Sequence, residues 1–192
     1  AGKLGLVICH DKRIIFIHCP KCGGESIEQA VFGRSDTFHN GDPYQGSAEK
    51  HWGCKDYIEH YGQKTFDDYF VFAFIRNPWD RAISRIMYRN KRYGRPMDIS
   101  PQLLKKECCI NKTFCEDLMI DQKYMANFVG RFENFQVDFD VLCNKIGISQ
   151  RKLPHNNKTN HKHYTEYYDD ETRQIVAKRY AKDIEYFGYE FE

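Results

Sequence analysis

Arg13 to Phe32 reads RIIFIHCPKCGGESIEQAVF, and the reading of this stretch decides the fold. Ile14, Ile15, Phe16 and Ile17 form a short apolar run rich in β-branched residues, as a strand buried on both faces requires. Pro20 ends the run. Gly23 and Gly24 permit a sharp turn and let a ligand approach the backbone closely. Ser26 then opens a helical pattern, with Gln29 three residues on as in a capping box. Ile27, Ala30 and Val31 give that helix an apolar face. A strand feeding a glycine turn and a helix N-terminus aims backbone N–H groups and the positive end of the helix dipole at one spot, and phosphate is its usual occupant. Lys21 adds a full positive charge at the mouth. The plainer reading is an ordinary strand–turn–helix with a surface lysine. A Walker A loop is excluded, because that motif places its lysine after the second glycine and Lys21 precedes both.

A second stretch, Tyr69 to Asn90, reads YFVFAFIRNPWDRAISRIMYRN. Phe70 to Ile75 is another hydrophobic strand, and it ends in Arg76. Asn77-Pro78 breaks it, and a helix follows from Trp79 to about Tyr93 with Pro78 or Trp79 near its first turn. Ser84 lies about two turns into that helix, eight residues after Arg76. Arginine suits phosphate, because its planar fork is permanently charged and binds in bidentate fashion. A surface pair between Arg76 and Asp80 or Asp67 is the structural alternative.

Together the two stretches resemble sulfotransferases that use 3′-phosphoadenosine 5′-phosphosulfate, closest to the carbohydrate-type, family 2 group. Strand-P-K-x-G-G-x-S-helix is similar to their 5′-phosphosulfate loop, and the pair Arg76 and Ser84 to their 3′-phosphate segment. The resemblance implies one α/β domain over residues 1–192, P-loop-like, with a central, mostly parallel sheet flanked by helices. It implies a 5′-phosphosulfate loop of Lys21, Cys22, Gly23, Gly24, Glu25 and Ser26, and a 3′-phosphate site of Arg76 and Ser84. In the family a Lys-His pair precedes a small helix that leads to the second strand. Lys50-His51 stands there, so His51 is the candidate general base, an imidazole being the side chain that ordinarily titrates near pH ~6.5. The family's late basic loop closes over the nucleotide, which makes Lys158 a candidate cofactor contact. Lys21 would neutralise the leaving oxygen. No metal is required. Two departures stand out: Cys22 where Thr is common, and Glu25 where a neutral residue is common. A carboxylate beside a phosphosulfate repels it unless Glu25 points away or pairs with a cation.

Composition narrows the rest. The chain has 192 residues, 41% of them hydrophobic and 15% aromatic, so it is long and apolar enough for a real core. A net charge of +2 argues against a general nucleic-acid binder. No apolar run of about 20 residues marks a membrane span, and no signal peptide is visible. A Golgi lumen location is expected if the chain is eukaryotic and has had an N-terminal anchor removed, and a cytoplasmic one otherwise. Eight cysteines permit disulfides. Cys108, Cys109 and Cys115 are the best candidates, whereas Cys143 reads as a buried thiol. Asn111-Lys112-Thr113 and Asn157-Lys158-Thr159 are glycosylation sequons.

Further elements are expected as follows. Leu4 to Cys9 reads as an edge strand, residues 34 to 50 as a polar loop over the site, and Cys54 to Tyr61 as a short helix. Pro101 to Cys108 and Phe114 to Phe128 read as helical, Val129 to Glu133 as a strand and Phe135 to Ile146 as a helix. Residues 151 to 163 form a basic loop whose His155, His161 and His163 lack a recognised ligand spacing. Asp170 to Phe187 reads as one closing helix, with Ile175, Val176, Ile184 and Phe187 inward. On the helix after Arg76, most of Arg81, Arg85, Arg89, Lys91, Arg92 and Arg95 read as a solvated basic end, with one or two free to grip an anionic acceptor.

Four rivals to sugar sulfation are weighed on the same residues. The acceptor can instead be a small alcohol, phenol or amine. The chain can be a non-catalytic relative that binds a glycan or partner, a reading that Glu25 favours. Cys19-Pro20-Lys21-Cys22 is also a C-x-x-C as in thioredoxin-like oxidoreductases, although nothing in that reading explains Arg76-Asn77-Pro78. A nucleotide kinase lacks its Walker A loop here.

Overall fold

The computed structural model describes residues 7–33, 51–95, 99–154 and 162–192. The expected loop of residues 34–50, Leu4 to Leu6, Asn157, Lys158, His155 and His161 lie outside them. The chain divides into two compact units, Ala1–Ile75 with Asp117–Lys158, and Arg76–Glu116 with Thr159–Glu192.

The first unit is built on a four-stranded sheet in the order β1-β2-β3-β6. Strand β2 (Ile14–Ile17) is buried at every position, as its unbroken apolar run requires. It pairs parallel with β3 (Phe70–Ile75), Ile15 opposite Val71, and β3 pairs parallel with β6 (Phe128–Arg131), Ala73 opposite Val129. The short β1 (Ile8–Cys9) closes one edge in antiparallel sense. Asn127 sets the register of β6, since its side-chain oxygen accepts from the Val71 amide and its own amide donates to the Val71 carbonyl, both at 2.7 Å. Gly130 is a packing requirement: a Cβ there would lie 2.3 Å from the Phe74 ring. Helix α1 (Gly24–Phe32) follows β2 and buries Ile27, Ala30 and Val31. Helix α2 (Cys54–Tyr61) begins where Asp56 reaches back to the Gly53 amide at 2.8 Å, and α3 (Gln63–Asp67) leads into β3. The sheet is mixed but mainly parallel and flanked by helices, an α/β fold as expected.

The second unit is helical. Its core is Trp79, Ala82, Ile83 and Ile86 of α4 (Pro78–Tyr93), Leu104 and Cys108 of α5 (Pro101–Ile110), and Tyr164, Val176 and Tyr180. Asn77 caps α4 by accepting from the Trp79 amide at 3.1 Å, and Ser100 caps α5 by accepting from the Leu103 amide at 3.3 Å.

Four expectations are corrected. The helix over Phe114 to Phe128 stops after α6 (Phe114–Leu118). A hairpin of β4 (Met119–Ile120) and β5 (Lys123–Tyr124) follows, because Asp121 and Gln122 take left-handed φ of 48° and 63° and reverse the chain. Strand β6 ends at Arg131, and a 3₁₀ turn over Phe132–Asn134 enters α7 (Phe135–Ile146). The closing helix is two helices, α8 (Asp170–Arg179) and α9 (Ala181–Phe187), which meet at the buried Tyr180. Ser26 does not start α1: Gly23 holds the cap position at φ 79°, and no side chain caps the helix.

Cys143 is a buried free thiol as expected, whereas the disulfide candidates Cys108, Cys109 and Cys115 are unpaired with one another. All eight cysteines are free. Burial pushes the Cys108 thiol up to about 11 and, with a hydrogen bond to Asp183, the Cys115 thiol to about 12. At the first sequon the Asn111 amide nitrogen donates to the Glu107 carbonyl at 2.7 Å.

Candidate active site

The first unit carries the anion loop. After β2 the chain passes His18, Cys19 and Pro20 and turns at Lys21 and Gly23, whose φ values are 69° and 79°. Gly23 could not be replaced even without the φ constraint, because its Cβ would meet the Phe135 ring at 2.3 Å. The Ser26 and Ile27 amides both donate to the Gly23 carbonyl, at 3.0 and 3.2 Å, and close the first turn of α1. The N-terminal amides of α1 and the positive end of its dipole therefore face the loop that holds Lys21. Lys21 is half-buried and Glu25 is exposed. Exposure to water weakens the repulsion raised by Glu25, since solvent screens an exposed charge. Ser26 is buried, and its hydroxyl donates to the Pro154 carbonyl at 2.7 Å. Cys22 is buried, with Sγ 3.6 Å from the Pro20 carbonyl. Cys19 and Cys22 are each 1% exposed. A thioredoxin-like nucleophile must be reachable by its disulfide partner, so burial argues against the C-x-x-C reading.

Two residues of this site escaped the sequence reading. His18 and Glu28 are 6% and 1% exposed, and His18 Nδ1 lies 2.6 Å from Glu28 Oε1. The carboxylate only accepts, so Nδ1–H is the donor. The His18 ring lies flat against the turn, where a Cβ on Gly24 would meet its Nε2 at 2.1 Å. The legible signal was Glu28, a carboxylate beside Ile27 and Val31 on the face of α1 that should be apolar. The exposed His51 packs edge-on against the His18 ring, centroids 5.1 Å apart, with its Nδ1 3.4 Å from the His18 carbonyl. Lys21, Cys22, Gly23, Gly24, Glu25 and Ser26 are thus one loop, and His51 is tied to its base through His18.

The second unit carries Arg76 and Ser84, the expected 3′-phosphate pair. Arg76, 8% exposed, bonds Asp80 through Nε at 2.7 Å and Nη2 at 2.9 Å. This fork-to-fork pair fixes the plane of the guanidinium. Asp80 and Ser84 stand one turn apart on α4, and Ser84 is partly exposed. The pair with Asp80 was the structural alternative for Arg76; it is present. Arg76 also begins directly after β3, as expected of the phosphate segment.

The basic helix end resolves into internal partners. Arg81 is 3% exposed, donates to the Lys112 carbonyl at 3.0 Å and covers the Phe114 ring at 4.4 Å. Arg85 and Arg89 both pair with the buried Glu107. Burial first, then the neighbouring Arg89 and Arg81, lowers the Arg85 pKa. Arg92 bonds the Tyr88 hydroxyl at 3.0 Å.

Comparison with known proteins identifies the family. The profile described as "Sulfotransferase family" matches residues 5–114, a span that contains both segments. A protein of Archaeoglobus fulgidus described as uncharacterized is 33% identical over 93 residues, which are 46% of this chain and 77% of that protein. No solved structure matches the chain. With more than half of its length matched, the chain belongs to the sulfotransferase family, in its family 2 group.

Proposed function

We propose that the chain transfers a sulfuryl group from 3′-phosphoadenosine 5′-phosphosulfate to an acceptor hydroxyl, that of a carbohydrate first of all, and that residues 1–192 act as one sulfotransferase domain. Sulfuryl transfer is the chemistry of the family; the donor and the acceptor class are our reading. The observation that carries it is the β2–turn–α1 loop, where Lys21 is held at a left-handed φ of 69° beside the N-terminus of α1. Its donor set, an ammonium and helix amides, fits a doubly anionic phosphosulfate. When bound, the donor supplies the sulfuryl group, whose bond to the 5′-phosphate oxygen breaks as the acceptor oxygen bonds to sulfur.

Positioning and charge stabilisation do most of such work. The amides of Gly23, Gly24 and Glu25 hold the 5′-phosphate, and Lys21 neutralises the charge that develops on the leaving oxygen. The Ser26 amide, also expected there, is given to the Gly23 carbonyl. The Ser26 hydroxyl, a candidate phosphate ligand, donates instead to Pro154, so its part is to tie residues 151–154 to the loop. Arg76 and Ser84 take the 3′-phosphate, with Asp80 orienting the guanidinium. His51 removes the acceptor proton. Lys158 remains a candidate nucleotide contact.

Calorimetric titration with 3′,5′-adenosine bisphosphate, against ATP as control, tests this directly. Micromolar binding of the bisphosphate, weak ATP binding and a loss of about 10- to 100-fold in Arg76→Ala are expected from one charged bidentate contact. No binding to folded protein sinks the donor assignment. His51→Ala should then lower turnover on a panel of sugars, phenols and amines while leaving bisphosphate affinity in place. The panel also decides among the acceptor classes, and nucleotide binding without turnover on any of them would favour a non-catalytic binder.

A further inference from the structure

We propose that His18 and Glu28 are positioning residues that set the tautomer and aim of His51, a proposal that rests on His51 being the base. A carbonyl oxygen only accepts, so a bond between His51 Nδ1 and the His18 carbonyl requires the proton on Nδ1. The lone pair is then on Nε2, the one atom from which His51 can act as a base. What holds that carbonyl in place is the His18 side chain. Its ring is clamped on three sides: Glu28 at 2.6 Å on Nδ1, the Phe16 ring stacked at 5.5 Å, and the Gly24 backbone against Nε2. The His51 ring packs against the same ring in a T-shaped contact, centroids 5.1 Å apart. One buried carboxylate on α1 therefore fixes one imidazole at the end of β2. That imidazole fixes the second through its carbonyl and its ring face. The same clamp holds the Gly23–Gly24 turn, so base and anion loop share one support. A buried ion-pairing group that only filled space would be replaceable by an apolar side chain; one that orients a base would not.

The ring nitrogens of His51 report the proposal without any turnover. In the 15N-labelled full chain, at a pH where the ring is neutral, the His51 signal should be that of the Nδ1-protonated tautomer. It is assigned by its disappearance in His51→Gln. A proton on Nε2, or an even mixture, overturns the proposal whatever the activity. Two variants then separate orientation from support. Glu28→Gln keeps an acceptor oxygen for His18 and should keep the tautomer, with kcat within about two-fold of wild type. Glu28→Leu removes the acceptor. It should release the tautomer and lower kcat about 10-fold or more, with bisphosphate Kd changed less than about two-fold. Full activity in Glu28→Leu, or equal losses in kcat and affinity with the tautomer intact, overturns the proposal. If Glu28→Leu does not fold, the wild-type tautomer and Glu28→Gln decide it. Full turnover in His51→Ala would instead sink the base assignment and leave the tautomer result standing.

Discussion

Lys21 is a non-glycine residue at φ 69°, in a region that L-residues avoid at a cost of about 1–2 kcal/mol. Glycine would satisfy that backbone without strain, so the proposed role of Lys21 rests on its charge and not on its backbone. Lys21→Gly should therefore leave stability within about 1 kcal/mol of wild type, as read by urea unfolding, because relief of strain offsets the looser unfolded chain. Turnover should fall to background in the same variant. A stable, fully active Lys21→Gly would remove lysine from the chemistry. Gly23 shows the opposite constraint. Its positive φ and the Phe135 ring both exclude a side chain, so its role is steric before it concerns any ligand.

At the scale of elements, α6 depends on a residue far along the chain. Asp183 of α9 is fully buried and accepts from the Phe114 and Cys115 amides, each at 2.8 Å, so a carboxylate caps α6 from another helix. Burial raises its pKa, against the pull of those two amides and Arg81. A raised carboxylate favours the folded state in its protonated form. Its contribution is complete below the ordinary aspartate value of 3.8 and is lost as pH rises through the folded value. Asp183→Asn does not titrate and leaves one amide facing an NH₂ group. It should be destabilised by about 1–3 kcal/mol, and the gap to wild type should be widest in acid and narrow as pH rises. Unfolding free energies at a series of pH values check this, and a gap that widens with pH would contradict the burial argument. The basic end of α4 carries the companion lesson. Arg81, Arg85 and Arg89 have internal partners in the second unit, so their density reflects buried Glu107 and backbone carbonyls rather than an acceptor groove.

Across the whole molecule the thiols give a global readout. Cys54 and Cys115 are pushed up to about 12 and Cys108 to about 11, burial being the first cause in each. Such thiols stay protonated and inert at neutral pH. Cys109 is exposed, whereas the other seven are buried. Iodoacetamide at neutral pH should label Cys109 first in the folded chain and all eight cysteines in denaturant, as read by intact mass and peptide mapping. Early labelling of Cys19 or Cys22 would mean that the loop opens and would revive a redox reading of Cys-Pro-Lys-Cys.

Most of the sheet was legible in the chain because its signals are short-range. The apolar runs of β2 and β3, and the 3.6-residue periods of α2 and α7, place those elements to within a residue or two. Glycine spacing with Lys21, and the step from Arg76 to Ser84, likewise mark the two proposed phosphate segments without reference to the rest of the fold. The hairpin at Asp121 and Gln122 was not legible, because Asp121 tolerates a left-handed turn but no glycine follows it, and Gln122 gives no turn signal. The break at Tyr180 was hidden for a related reason: a buried tyrosine and the cap supplied by Asp183 override a helical pattern that continues through both. His18 and Glu28 stand ten residues apart, and only the strand, turn and helix between them fold the two side chains to 2.6 Å. Patterns of period and turn act between neighbours along the chain, so residue order carries them. Pairing of charges, capping from a distant helix and the tautomer of His51 depend on distances through space, which only the folded backbone sets.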